Sequence, residues 1–128
     1  MGDNRYMMLG DYINIGGHRV VFRHKTNPDW VVKVARDNTY YNIAEFQAWQ
    51  IACKKGLQDW LIPCVKLLEG GKYLIQEIGE SITKEDIPKN IPECINLDAD
   101  NERQWKRHNG KIKKCDYDHN ERERLQNY

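Results

Sequence analysis

The chain has 128 residues, of which 40% are hydrophobic and 30% charged, and its formal net charge is +1. That length suits one small domain. A mean hydropathy of −0.84, with no apolar run near the roughly 18 residues a spanning helix needs, argues against a membrane protein. Near-neutral charge disfavours both a strongly basic nucleic-acid binder and an acidic nucleic-acid mimic, though it leaves room for a local patch.

Residues 12–15 read as a first strand with Ile13 and Ile15 on one face, and residues 18–24 as a second, joined by Gly16-Gly17 as a hairpin. Asn27-Pro28-Asp29 is a turn signal, and the valine-rich residues 30–35 form a third strand. Its alternation sets Trp30, Val32 and Val34 against Val31, Lys33 and Ala35. A helix is expected over residues 42–55, with Asn42 as cap, Ile43, Phe46, Trp49 and Cys53 as the buried stripe, Ala52 beside it and Gly56 closing it. Strands over residues 62–68 and 72–78 follow, joined at Glu69-Gly70-Gly71. Two prolines and many charges make residues 81–92 an extended linker, and Asn109-Gly110 is a hairpin signal. Residues 118–128 read as a frayed helix or polar tail. Trp30, Trp49 and Trp60 are the expected core anchors.

Residues 1–11 carry acids and no apolar core, so no secretory signal is expected, and Tyr6 breaks the myristoylation pattern that Gly2 begins. Cys53, Cys64, Cys94 and Cys115 form no CxxC pair and are expected as free thiols in the cytoplasm. Cys115 and His119, with His108 upstream, have a metal-like spacing, but a structural zinc site needs four converging ligands.

Three strands, a helix and two strands is also the order of a protein-kinase N-terminal lobe. Val31-Val32-Lys33 resembles the family's V-A-I-K strand, and Glu45 lies in the next helix, where the family has the acidic partner of that lysine. Residues 74–79 look like the last strand running into the hinge, which implies Glu77 as a nucleotide contact. Residues 94–101 resemble the catalytic loop H-R-D-L-x-x-x-N, and Asp116-Tyr117-Asp118 resembles D-F-G. The likeness covers residues 10–119 and is most similar to the short kinase-like proteins of bacteriophages and prophages, with Trp105 after the loop and Asp116-Tyr117 near the end. It implies an α+β fold: an N-lobe-like five-stranded antiparallel sheet with one packed helix over residues 1–80, then a short irregular extension over 81–128, in one compact domain.

The resemblance further implies Gly16, Lys33, Glu45 and Glu77 at a nucleotide, Asn101 and Asp116 at magnesium, and ATP with magnesium as cofactors. Lys33, flanked by Val31 and Ala35, calls for a compensating charge, and Glu45 is expected within about 4 Å of it or bridged to it. A capping-box role for Glu45 with Asn42, and a solvent-facing Lys33 on an edge strand, are the plain alternatives.

The departures are as informative. Only Gly16 survives of the glycine-rich loop, with Asn14 and Arg19 at glycine positions. The proton acceptor becomes Asn96, which cannot act as a base; a small shift in register offers Asp98 instead and displaces Asn101. Asp118 replaces the D-F-G glycine, and too little chain separates Gly79 from Cys94 for the helices that support the loop. The expected function is therefore that of a degenerate, pseudokinase-type phage protein that binds a host protein in the host cytoplasm, as an inhibitor in host takeover or counter-defence. An active minimal kinase using Asp98 is the first alternative. The second is a single-stranded nucleic-acid module built on Arg103, Trp105, Arg107, Lys111 and Lys113.

Overall fold

The computed structural model describes residues 8–117 and 119–128. The expected acid-for-glycine change at Asp118 and the readings of residues 1–7 lie outside these residues. The chain divides into two compact units. The first holds, of the described residues, 8–43 and Cys64–Ile78; the second holds Ala44–Pro63 and Gly79–Tyr128.

The first unit is a five-stranded antiparallel sheet made of β1 (Leu9–Ile15), β2 (Arg19–His24), β3 (Trp30–Ala35), β4 (Cys64–Leu68) and β5 (Tyr73–Glu77). Their spatial order is β1-β2-β3-β5-β4, so β3 is central and pairs with β2 and β5. The valine run of β3 explains this placement, because a strand buried on both faces needs apolar side chains on both. Val32, Tyr73 and Ile75 form the core of one face, with Trp30, Val34 and Val65 packed on them. On the other face Val31, Lys33, Ala35, Leu74 and Gln76 are all buried. Register carries this sharing, since Val32 lies opposite Ile75 and Val31 opposite Gln76.

Three expectations need correction here. The first strand is longer than residues 12–15, running Leu9–Ile15, and Ile13 and Ile15 on it are 39% and 54% exposed, because β1 is an edge strand whose register against β2 is broken by irregularities. The strand expected over 62–68 starts only at Cys64. Pro63 cannot donate to a ladder, and the Ile62 N–H bonds the Lys114 carbonyl in the second unit instead, at 2.8 Å. Asn42 is not a cap. The side chain of Asn38 accepts the Tyr40 N–H at 2.9 Å, and helix α1 (Tyr40–Lys54) is under way before Asn42 is reached.

Asn42 is fully buried, and its amide donates to the carbonyls of Lys33 (3.0 Å), Gly71 (2.9 Å) and Lys72 (3.3 Å). Gly71 must be glycine for this approach. Its φ is +104°, and an added Cβ would lie 2.8 Å from both Thr39 Cβ and Ile43 Cγ1.

The turn between β2 and β3 is tied by His24, whose Nδ1 accepts the Asn27 N–H at 3.0 Å. Burial, and secondarily the charge of Lys66, lower its pKa from the ordinary 6.5. The unfolded chain then takes up this proton at higher pH than the folded one. Stability should therefore fall as pH drops below 6.5, with no contribution from this group well above it. The check is an NMR titration of the His24 ring, with a midpoint below 6.5 expected, alongside urea melts whose slope just below that pH is reduced in His24→Phe.

The second unit is far from irregular. It contains a three-stranded antiparallel sheet of β6 (Glu80–Ser81), β7 (Trp105–His108) and β8 (Lys111–Lys114), and helix α2 (His119–Gln126). The β7–β8 hairpin turns on Asn109 and Gly110, with φ of +50° and +79°, the two left-handed residues that a two-residue turn requires. Residues 81–92 are not a plain linker: Ser81 ends a strand, and Thr83 opens a 3-10 turn by donating its N–H and hydroxyl to Asp86.

Leu61, Ile62, Ile95, Trp105 and Leu125 are fully buried in this unit, and Tyr117 is only 1% exposed. Trp105, not Trp30, Trp49 or Trp60, is the fully buried tryptophan. The buried line of α1 also differs from expectation: it is Ala44, Ala48 and Ala52, spaced by four, while Phe46 and Trp49 are half-buried and Cys53 is exposed. No described helix is long and apolar enough to cross a membrane.

Candidate functional site

A small cavity of about 90 Å³ lies in the second unit, lined by Asp98, Gln104, Asp116, Tyr117 and Glu121. Three carboxylates on so small a cavity would repel one another unless neighbouring groups fixed them. Those groups are present. The Lys114 side chain is 1% exposed, and its ammonium lies 2.9 Å from Glu121 Oε2. It also donates to the carbonyls of Leu97 at 2.7 Å and Ile95 at 3.4 Å. All three acceptors converge on one cation, which suits the three donors of an ammonium.

Asp116 is fixed from its other side. The next residue, Tyr117, donates its N–H to Glu45 Oε2 at 3.0 Å, and its hydroxyl donates to the Ile62 carbonyl at 2.7 Å. Glu45 is fully buried, so this carboxylate is committed to a backbone seventy-two residues away in sequence. The capping-box role expected as one alternative for it falls with Asn42's position inside the helix. Opposite, Trp105 donates its indole N–H to the Ala99 carbonyl at 3.0 Å, beside Asp98. Asp98 has φ of +50°, a left-handed conformation that aspartate tolerates better than most side chains.

The residues expected from the sequence scatter in an instructive way. Asp98 and Asp116 meet on the cavity. Asn96 is exposed and accepts from Arg124 at 3.0 Å, and Asn101 accepts the Arg103 N–H at 3.1 Å. Lys33 is 6% exposed on β3, not a solvent-facing lysine. Glu77 ends β5 opposite Trp30, half-buried. Gly16 lies in the exposed β1–β2 turn, where it donates its N–H to Arg19 and its carbonyl accepts from Arg36 at 2.7 Å.

Of the basic set, Trp105 is 0% exposed and offers no face on which a base could stack, and Lys113 is buried with its ammonium 3.1 Å from His108 Nδ1. Lys111 is paired with Asp59 and Arg107 with Asp86, while Arg103 is exposed. Burial raises the Cys94 thiol pKa, which disfavours the thiolate. Among the described residues, no three His, Cys, Asp or Glu side chains are grouped to hold a metal ion by themselves.

Lys114, Gln104 and Glu121 were not foreseen. A signal for Lys114 was present: a two-residue Asn-Gly turn fixes Trp105 opposite Lys114, so this lysine shares the face of the largest apolar side chain in the hairpin. No protein-family model matches the chain, and no curated protein matches it.

Proposed function

We propose that the protein is a degenerate kinase-like protein, of the pseudokinase type found in bacteriophages and prophages, that acts by binding a protein of its host. The observation that carries this reading is the Glu45–Tyr117 bond. It joins the helix after the lysine-bearing strand to the segment that resembles D-F-G, two places the resemblance treats as parts of one site. The β1-β2-β3-β5-β4 order and the burial of Lys33 on the central strand support the same reading.

The chemistry of transfer is poorly served. Asn96 cannot accept a proton and is engaged by Arg124. The β1–β2 turn keeps one matched glycine and spends its carbonyl on Arg36. The acidic cavity, at about 90 Å³, is well below the ~300 Å³ at which small-molecule sites begin.

A second reading, an active minimal kinase in the host cytoplasm, is favoured by Asp98 and Asp116 lining one cavity. The hard oxygen donors of Asp116 suit magnesium, which is commonly held by one or two carboxylates with phosphate oxygens completing its shell. Asp98 would then take the proton that Asn96 cannot.

The experiment is incubation with labelled ATP and magnesium, alone and with host lysate, comparing wild type with Lys33→Ala and Asp116→Ala. No transferred label is expected, and capture of the same host protein by all three forms is expected. Label that disappears in both variants would replace the binding-protein reading with the minimal kinase.

A further inference from the structure

The loop that carries Asp98 is held by Arg124 of α2 at Asn96 and by Trp105 at Ala99, and Asp98 itself is left-handed. We infer that the buried Lys114–Glu121 pair is a further positioning device for this loop, acting on the backbone just before Asp98. Lys114 leaves β8 on the buried side of the hairpin and reaches both Ile95 and Leu97, the backbone immediately before Asp98. Glu121, from α2, neutralises it at 2.9 Å and lines the same cavity as Asp98 and Asp116.

Burying an ammonium to 1% exposure is tolerated only where acceptors surround it. That requirement makes the loop carbonyls and the helix carboxylate mutually dependent. Releasing the ion pair frees the Leu97 carbonyl, and with it the turn in which the Asn101 N–H bonds the Asp98 carbonyl at 2.9 Å. Lys114 is therefore a positioning residue for Asp98 rather than one that acts on a ligand. The inference holds whether or not a nucleotide binds, so its failure is separable from failure of the kinase-like reading.

The test is residue-resolved amide exchange at Ala99 and Asn101, compared with Val32 and Ile75 in the first unit and Ala48 in α1. Because a single removal would strand a buried charge, the informative variant is Lys114→Met with Glu121→Leu, which removes both. Exchange at Ala99 and Asn101 is expected to accelerate by about tenfold or more while the reference amides change by less than about twofold. Lys114→Arg combined with Glu121→Asp, which keeps both charges and nearly the summed length, is expected to restore slow exchange. Slow loop exchange surviving in the apolar double variant would overturn the inference. So would equal acceleration at every amide, which would mark the pair as a global stabiliser only.

Discussion

Asn42→Leu is expected to destabilise the first unit by about 2–4 kcal/mol, because it strips the donors from buried carbonyls while nearly preserving volume. The Asn42 amide reaches the carbonyls of Lys33, Gly71 and Lys72, and its oxygen accepts from Arg19 at 3.3 Å. Leucine satisfies none of these groups, and the burial leaves no water to substitute. Urea melts followed by circular dichroism, with amide exchange at Val32 to localise the loss, check it. Asn42→Asp adds a test of sign. A carboxylate facing carbonyl oxygens has its pKa raised above the unfolded value of about 3.9. The neutral acid can still donate, so this variant should be most stable below that value and lose stability as pH rises through the folded pKa. A pH-independent loss would show that shape, not hydrogen-bond donation, sets the role of Asn42.

Trp105→Ala is expected to cost about 3–5 kcal/mol in the second unit, as full truncation of a buried aromatic does. Trp105 is completely buried, and its indole N–H holds the Ala99 carbonyl at 3.0 Å. Trp105→Phe separates the two contributions, since it keeps most of the apolar area and loses the bond. It should cost less, with loss of about 1 kcal/mol assigned to the hydrogen bond, and it should loosen the turn carrying Asp98. Denaturation by urea with far-ultraviolet detection checks the ranking. A loss under about 1 kcal/mol for the alanine variant would contradict the core role.

The local elements were legible in the sequence because each obeys a short-range rule. Valines at residues 31, 32 and 34 made β3 readable to its observed bounds, Trp30–Ala35. The Asn109-Gly110 pair fixed the second hairpin and its register. Gly56, with φ of +74°, ended α1 as expected. The candidate acids Asp98 and Asp116 were also readable, though only as two positions in a spacing. Their meeting on one cavity was not, since a spacing says nothing of how a loop is folded back.

What the sequence by itself determined was the strand and helix order and the residue types available for chemistry. What only the tertiary structure decided was which polar groups are buried and what they serve. Asn42 looked like a cap and Trp105 like a stacking platform, and nothing singled out Lys114; all three are core residues. The physical reason is that a buried polar side chain is stabilised by partners distant in sequence. Glu45 meets the Tyr117 N–H, Asn42 the Gly71 carbonyl, and Lys114 the Leu97 carbonyl and Glu121. Before folding, each is indistinguishable from a surface group, because local propensity carries no record of the acceptor that will compensate its desolvation.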